Sequence, residues 1–154
     1  MNVKRILPYA IIYFSIMGLF ACYFAPKQHL ITFLEIPCIK PHLRYRYLTC
    51  ERVEVLVDDK SIIIPESFDT DLASIPRWFW TFLSPAYSGF IAPSILHDYL
   101  YQCHNGYSRK VIDEIFYSAL TENGVTRYTS LKMYAAVRIF GEFHYNKSIA
   151  CLKD

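Results

Sequence analysis

Hydrophobic and polar positions change period three times along the chain. Residues 6–26 carry no charge and are dominated by aliphatic and aromatic side chains, Ile11, Ile12, Phe14, Ile16 and Leu19 among them. Such a run predicts a hydrophobic helix, because roughly 20 apolar residues cross the hydrocarbon core of a bilayer. Residues 27–48 read as a connector leading into a first strand around 31–34. Val53, Val55 and Val57 then alternate around Glu54, the two-residue period of a strand with one buried face. Residues 61–64 form a second β-rich run, and Asp58-Asp59-Lys60 between them predicts a hairpin that Pro65 terminates. Residues 66–93 hold turn residues and several prolines around Trp78, Phe79, Trp80 and Phe82. They predict an ordered loop with a short helix near 76–83.

From Pro93 onward the period becomes helical. Pro93 suits the first turn of a helix running to about Cys103, with Leu96, Tyr99, Leu100 and Cys103 as its apolar stripe. The turn His104-Asn105-Gly106-Tyr107 follows, and Ser108 is a credible N-cap for a second helix reaching Glu122. Its stripe is Ile112, Ile115, Phe116 and Ala119, and Asn123-Gly124 supplies the stop. A third helix is expected from Thr129 or Ser130, carrying Met133, Tyr134, Val137 and Phe140, with Gly141 ending or bending it. The expected architecture is therefore α+β. An N-terminal hydrophobic helix (residues 1–30) precedes a single domain (31–154) made of a small β-hairpin or sheet and a three-helix C-terminal part.

Composition sharpens this picture at two points. With 53% hydrophobic and 19% charged residues among 154, the chain has ample material for a packed core. Its 16 basic and 14 acidic residues are scattered, without the basic stripe that grips a phosphate backbone, so nucleic-acid binding is not indicated. Lys4 and Arg5 ahead of the apolar run match both a retained anchor and a signal sequence. Leu19-Phe20-Ala21-Cys22 resembles a bacterial lipobox, which makes Cys22 a lipidation candidate. A retained anchor or a lipidated Cys22 would place the protein at a bacterial membrane with an extracytoplasmic domain, and a buried helix of a soluble domain is the remaining reading. Lys27, Lys40, Arg44 and Arg46 dilute the charge bias that sets orientation. Cys38, Cys50, Cys103 and Cys151 match no zinc-binding interval. Export would allow two disulfides among them; the favoured expectation is four small, buried, reduced side chains.

Candidate chemistry centres on His97, Asp98 and Asp113. His97 lies eight or nine residues before the centre of the turn and Asp113 seven or eight after it. In two antiparallel helices those offsets put both at one height, within reach of an Asp113–His97 hydrogen bond. Such a bond fixes the histidine tautomer and raises the basicity of the other ring nitrogen, as a general base requires. Asp98 is placed to hold a hard cation such as Ca²⁺, and Tyr101, four residues after His97, is placed to support either group. Asp71 is a further candidate metal ligand, or a partner for Arg77 or Arg109, and an Asx-type turn accounts for it equally well. Ser74 lacks the glycine-flanked elbow of a serine nucleophile. Trp78-Phe79-Trp80 fits burial better than contact with a bilayer.

Three segments in order carry a resemblance: Phe68-Asp69-Thr70-Asp71-Leu72-Ala73-Ser74-Ile75-Pro76-Arg77, Leu96-His97-Asp98-Tyr99-Leu100-Tyr101, and Ser108-Arg109 with Asp113 and Phe116. Together they resemble domain-of-unknown-function family 1353, found in bacteria and their phages, across roughly residues 50–142. That resemblance brings no established activity. His97-Asp98-x-x-Tyr101, followed by an Asp-x-x-Phe helix, is also similar to the catalytic helix pair of secreted phospholipase A2. By that analogy His97 would deprotonate water, Asp113 would orient it, and Asp98 would bind the calcium that polarises an ester carbonyl. Those enzymes place a glycine-rich calcium loop before the histidine helix, whereas residues 84–93 contain only Gly89. The functional expectation is a membrane-associated, phage-like bacterial protein with a His–Asp hydrolase site. Its alternative is a non-catalytic interaction or assembly module in which the same residues form a stabilising polar network.

Overall fold

The computed structural model describes residues 25–43, 46–72 and 88–145. Most of the expected N-terminal hydrophobic helix, with Cys22, lies outside the described residues, as do Ser74, Arg77, the short helix expected near 76–83 and Cys151. Among the described residues no helix is long and apolar enough to cross a membrane.

Strands β1 (Ile31–Phe33), β4 (Val53–Val57) and β5 (Lys60–Ile64) form one antiparallel sheet in the order β1-β4-β5. The β4–β5 hairpin is the expected one, with Val57 opposite Lys60. Its two linking residues, Asp58 and Asp59, have φ of 48° and 65°. Positive φ at both positions is what a tight two-residue hairpin needs to follow the right-handed twist of its strands. The Asp58 carboxylate also accepts from the Leu30 amide at 2.9 Å and lies 2.6 Å from His29 Nδ1, tying the turn to the chain entering β1.

A second antiparallel sheet corrects the expected connector. Strands β2 (Ile39–Leu43), β3 (Arg46–Thr49) and β6 (Asp69–Thr70) pair in the order β2-β3-β6. Neither β2 nor β6 shows the alternation that identifies β4. The former is an exposed edge strand containing Pro41, which an edge tolerates, and the latter is only two residues long. Ile39 pairs with Thr49, so the antiparallel register brings the next residues outward, Cys38 and Cys50, face to face. They form a disulfide with a Cα–Cα distance of 5.2 Å, and Cys103 is disulfide-bonded as well. The expectation of reduced thiols therefore fails at these three positions.

The C-terminal part has the three helices read from sequence: α1 (Ile91–Cys103), α2 (Arg109–Glu122) and α3 (Arg127–Phe140). A 3₁₀ turn at Ser88–Phe90 starts α1 two residues before Pro93, which falls within the first helical turn where no amide hydrogen is needed. Ser108 caps α2 by accepting from the Val111 amide. Thr126 caps α3 through Thr129, so that helix begins two to three residues earlier than its apolar stripe suggested. Leu96 and Leu100 of α1, with Ile112, Ile115 and Ala119 of α2, are wholly buried against Val53, Val55, Val57, Ile62 and Ile64 of the first sheet. Phe116 is equally buried but belongs to a second cluster with Leu120, Val125, Met133 and Val137, between α2 and α3. Hence α1 has structure on more than one side, and residues beyond its apolar stripe, His97 and Asp98 included, are buried too.

Candidate active site

The short turn between α1 and α2 sets the helices so that His97 and Asp113 meet. His97 Nε2 lies 3.1 Å from Asp113 Oδ1. The Tyr101 hydroxyl, one turn after His97, donates to the same oxygen at 2.7 Å. Arg138 of α3 donates from Nη1 to the other oxygen, Oδ2, at 2.8 Å. Thus one carboxylate joins all three helices. The His97 ring sits between the rings of Tyr101 and Phe116, with centroids 4.1 and 4.6 Å away.

Electrostatics hold Asp113 ionised and Tyr101 protonated. Burial alone would push the Asp113 carboxyl up, but bonds from His97, Arg138 and Tyr101 outweigh it and hold the group below the usual aspartate value. An ionised Asp113 accepts only, so Nε2 of His97 donates to it. Burial and the adjacent Asp113 charge drive the Tyr101 phenol upward, so it stays a donor. Nδ1 of His97 has no hydrogen-bond partner among the described residues and lies 4.0 Å from Asp98 Oδ1. That gap is too long for a direct hydrogen bond.

Asp98 faces away from α2, toward the second sheet. Its Oδ2 accepts from the Thr70 hydroxyl, and the same hydroxyl oxygen accepts from the Leu72 amide at 3.0 Å. Strand β6 thereby places Asp71 beside α1: Asp71, Asp98, Thr70 and Tyr101 line a common cavity of about 160 Å³. Arg46 lies at its edge, paired with Asp69 at 2.8 Å. Three carboxylates, Asp69, Asp71 and Asp98, line the cavity, and Asp69 is already paired with Arg46, against the roughly six to eight oxygens that Ca²⁺ takes. Among the described residues no set of three His, Cys, Asp or Glu side chains is arranged to hold a metal. Asp71 makes no ion pair with Arg109, whose guanidinium instead donates to the Arg138 carbonyl at 3.0 Å and fixes the end of α3.

His97, Asp113 and Tyr101 therefore converge as expected, and Asp98 and Asp71 share a separate but adjoining cavity. Arg138 and Thr70 are additions. Arg138 had a visible signal: it is the lone cation in Ala135-Ala136-Val137-Arg138-Ile139-Phe140, an apolar run where a charge needs a partner. Thr70 had none, since its role depends on β6 pairing with β3.

No curated protein and no solved structure matches the chain. The model of the family described as protein of unknown function, DUF1353, matches residues 49–137, which hold the Asp71, His97-Asp98 and Asp113 segments and most of the described domain. With more than half of its length covered, the chain belongs to the DUF1353 family.

Proposed function

We propose that this is a membrane-associated, phage-like bacterial protein whose domain carries a histidine–aspartate hydrolase site acting on an ester, as in the phospholipase A2 helix pair. One observation carries the reading: Nε2 of His97 is held by the Asp113 carboxylate, while Nδ1 makes no hydrogen bond among the described residues; the reading takes the ring as neutral, with its lone pair on Nδ1. Nδ1 takes a proton from water as the water oxygen bonds to the ester carbonyl carbon. The resulting imidazolium is stabilised by Asp113 and returns that proton to the leaving alkoxide as the ester C–O bond breaks. Asp113 and Tyr101 hold the ring, and no step here requires a metal. General-base assistance of this kind contributes about 10²–10⁴-fold in rate. Residues 6–26 support the membrane assignment, and the cystines at Cys38–Cys50 and Cys103 support an oxidising, extracytoplasmic compartment.

The second reading, a non-catalytic interaction or assembly module, is favoured by burial: His97 is 1% exposed and Asp113 0%. One variant separates the two. His97→Gln retains a donor for Asp113 but cannot transfer a proton. The hydrolase reading expects phospholipid or simple-ester hydrolysis by the wild type, lost in the variant, with melting little changed. A wild type inactive across esterase, lipase and peptidase substrates, and a variant that melts many degrees lower, would establish the scaffold.

A further inference from the structure

Asp113 has two carboxylate oxygens, and the elements around it divide them. Oδ1 receives both α1 donors, His97 Nε2 and the Tyr101 hydroxyl, while Oδ2 receives Arg138. Arg138 is itself held in place. Arg109, at the start of α2, donates to the Val137 carbonyl at 3.5 Å and to the Arg138 carbonyl at 3.0 Å, clamping the α3 backbone at that residue. Three residues on, Gly141 passes so close to Tyr101 that an added Cβ would collide with its hydroxyl and lie 3.2 Å from two ring carbons. The end of α3 therefore meets the cluster twice, through Arg138 at Oδ2 of Asp113 and through Gly141 at the Tyr101 ring.

We propose that Arg138 is a positioning residue for His97, acting through Asp113. By occupying Oδ2 it stops the carboxylate from rotating and keeps Oδ1 aimed at Nε2–H. The ring stays in one tautomer, with Nδ1 turned away from Asp113. The inference concerns the same residues as the hydrolase reading, but its first test needs no activity.

A carboxylate-bound imidazole N–H gives a far-downfield proton resonance that exchanges slowly with water. In the full-length protein in detergent, His97 Nε2–H should give such a signal. Arg138→Met keeps the aliphatic stem and removes every donor, so the freed carboxylate should let this proton exchange at least about 10-fold faster. Arg138→Lys, which restores one charged donor, should recover most of the protection. If Arg138→Met unfolds the protein, Arg138→Gln, a shorter neutral donor, should give an intermediate exchange rate in a folded chain. Unchanged position and protection of the His97 signal in a folded Arg138→Met or Arg138→Gln variant, whatever its melting temperature, would overturn the proposal. Where the wild type hydrolyses an ester, Arg138→Met should lower kcat about 10-fold and leave KM unaltered. A loss confined to KM would count against positioning. If the resonance responds as expected in a wild type without ester hydrolysis, the positioning role stands and the hydrolase reading fails alone.

Discussion

Asp113→Asn tests the polar cluster more severely than any other single change, because it swaps one atom and leaves the shape intact. Asparagine keeps one acceptor oxygen, which can still serve His97 and Tyr101 from the place of Oδ1. Its amide nitrogen then falls where Oδ2 was, 2.8 Å from Arg138 Nη1, and sets donor against donor. The guanidinium is left without its counter-charge beside a position that is 0% exposed. Because the Arg138 side chain left behind is part-buried, not fully buried, the loss expected at pH 7 is that of one unsatisfied charged hydrogen bond, about 1–3 kcal/mol. The sign of the pH dependence follows from the lowered Asp113 value. Its stabilising contribution is complete above the unfolded aspartate value of about 3.9 and disappears as pH falls through the lower folded value. Urea unfolding of the full-length wild type and variant in detergent should therefore show a difference at pH 7 that narrows steadily below about pH 4. A loss under about 1 kcal/mol at pH 7, or a difference that stays constant on acidification, would refute the view that this carboxylate is an ionised lock.

Other consequences are more local. Phe116→Ala should cost about 3–5 kcal/mol in the same unfolding assay, as expected for a fully buried phenylalanine; a loss below about 0.5 kcal/mol would contradict its place between α2 and α3. Gly141→Ala should destabilise by about 1–3 kcal/mol through overpacking against Tyr101, and an unchanged melting temperature would mean that the Tyr101 ring yields freely. The full-length protein should sediment with membranes and, if the lipobox is used, take up an acyl label that Cys22→Ala abolishes. Recovery of the whole chain in the soluble fraction would end the membrane reading, and an unlabelled wild type would dispose of lipidation alone.

Legibility in the sequence followed the range of the interactions. The α1–α2 hairpin and its His97–Asp113 pair could be placed because a short turn makes equal offsets into equal heights. The β4–β5 hairpin is legible from the partial alternation of Val53, Val55 and Val57 around Glu54 and from the Asp58-Asp59-Lys60 turn. What failed needed partners remote in sequence. Residues 39–49 show no alternation because β2 is an exposed edge, so the second sheet was hidden, and the Cys38–Cys50 bridge with it. Phe116 shares the periodic stripe of Ile112, Ile115 and Ala119 yet meets both the His97 ring of α1 and the aliphatic cluster toward α3, because periodicity marks the apolar side of a helix without saying which neighbour fills it. Asp113 was visible as a residue, but the cation satisfying its second oxygen lies 25 positions away on another helix.

Helix α2 contributes Ile112, Ile115 and Ala119 to the cluster under the first sheet, and Phe116 and Leu120 to the one against α3. The two clusters share a single rod, so neither can open while the other remains whole. Loosening the sheet side strips one flank of α2, and releasing α3 strips the other. The domain is thereby bound into one cooperative unit, whose least exchangeable backbone amides belong in the middle of α2. Asp113, and His97 with it, lies within one turn of that point. Any motion large enough to admit a bulky group directly to the pair would thus have to loosen α2 against both clusters.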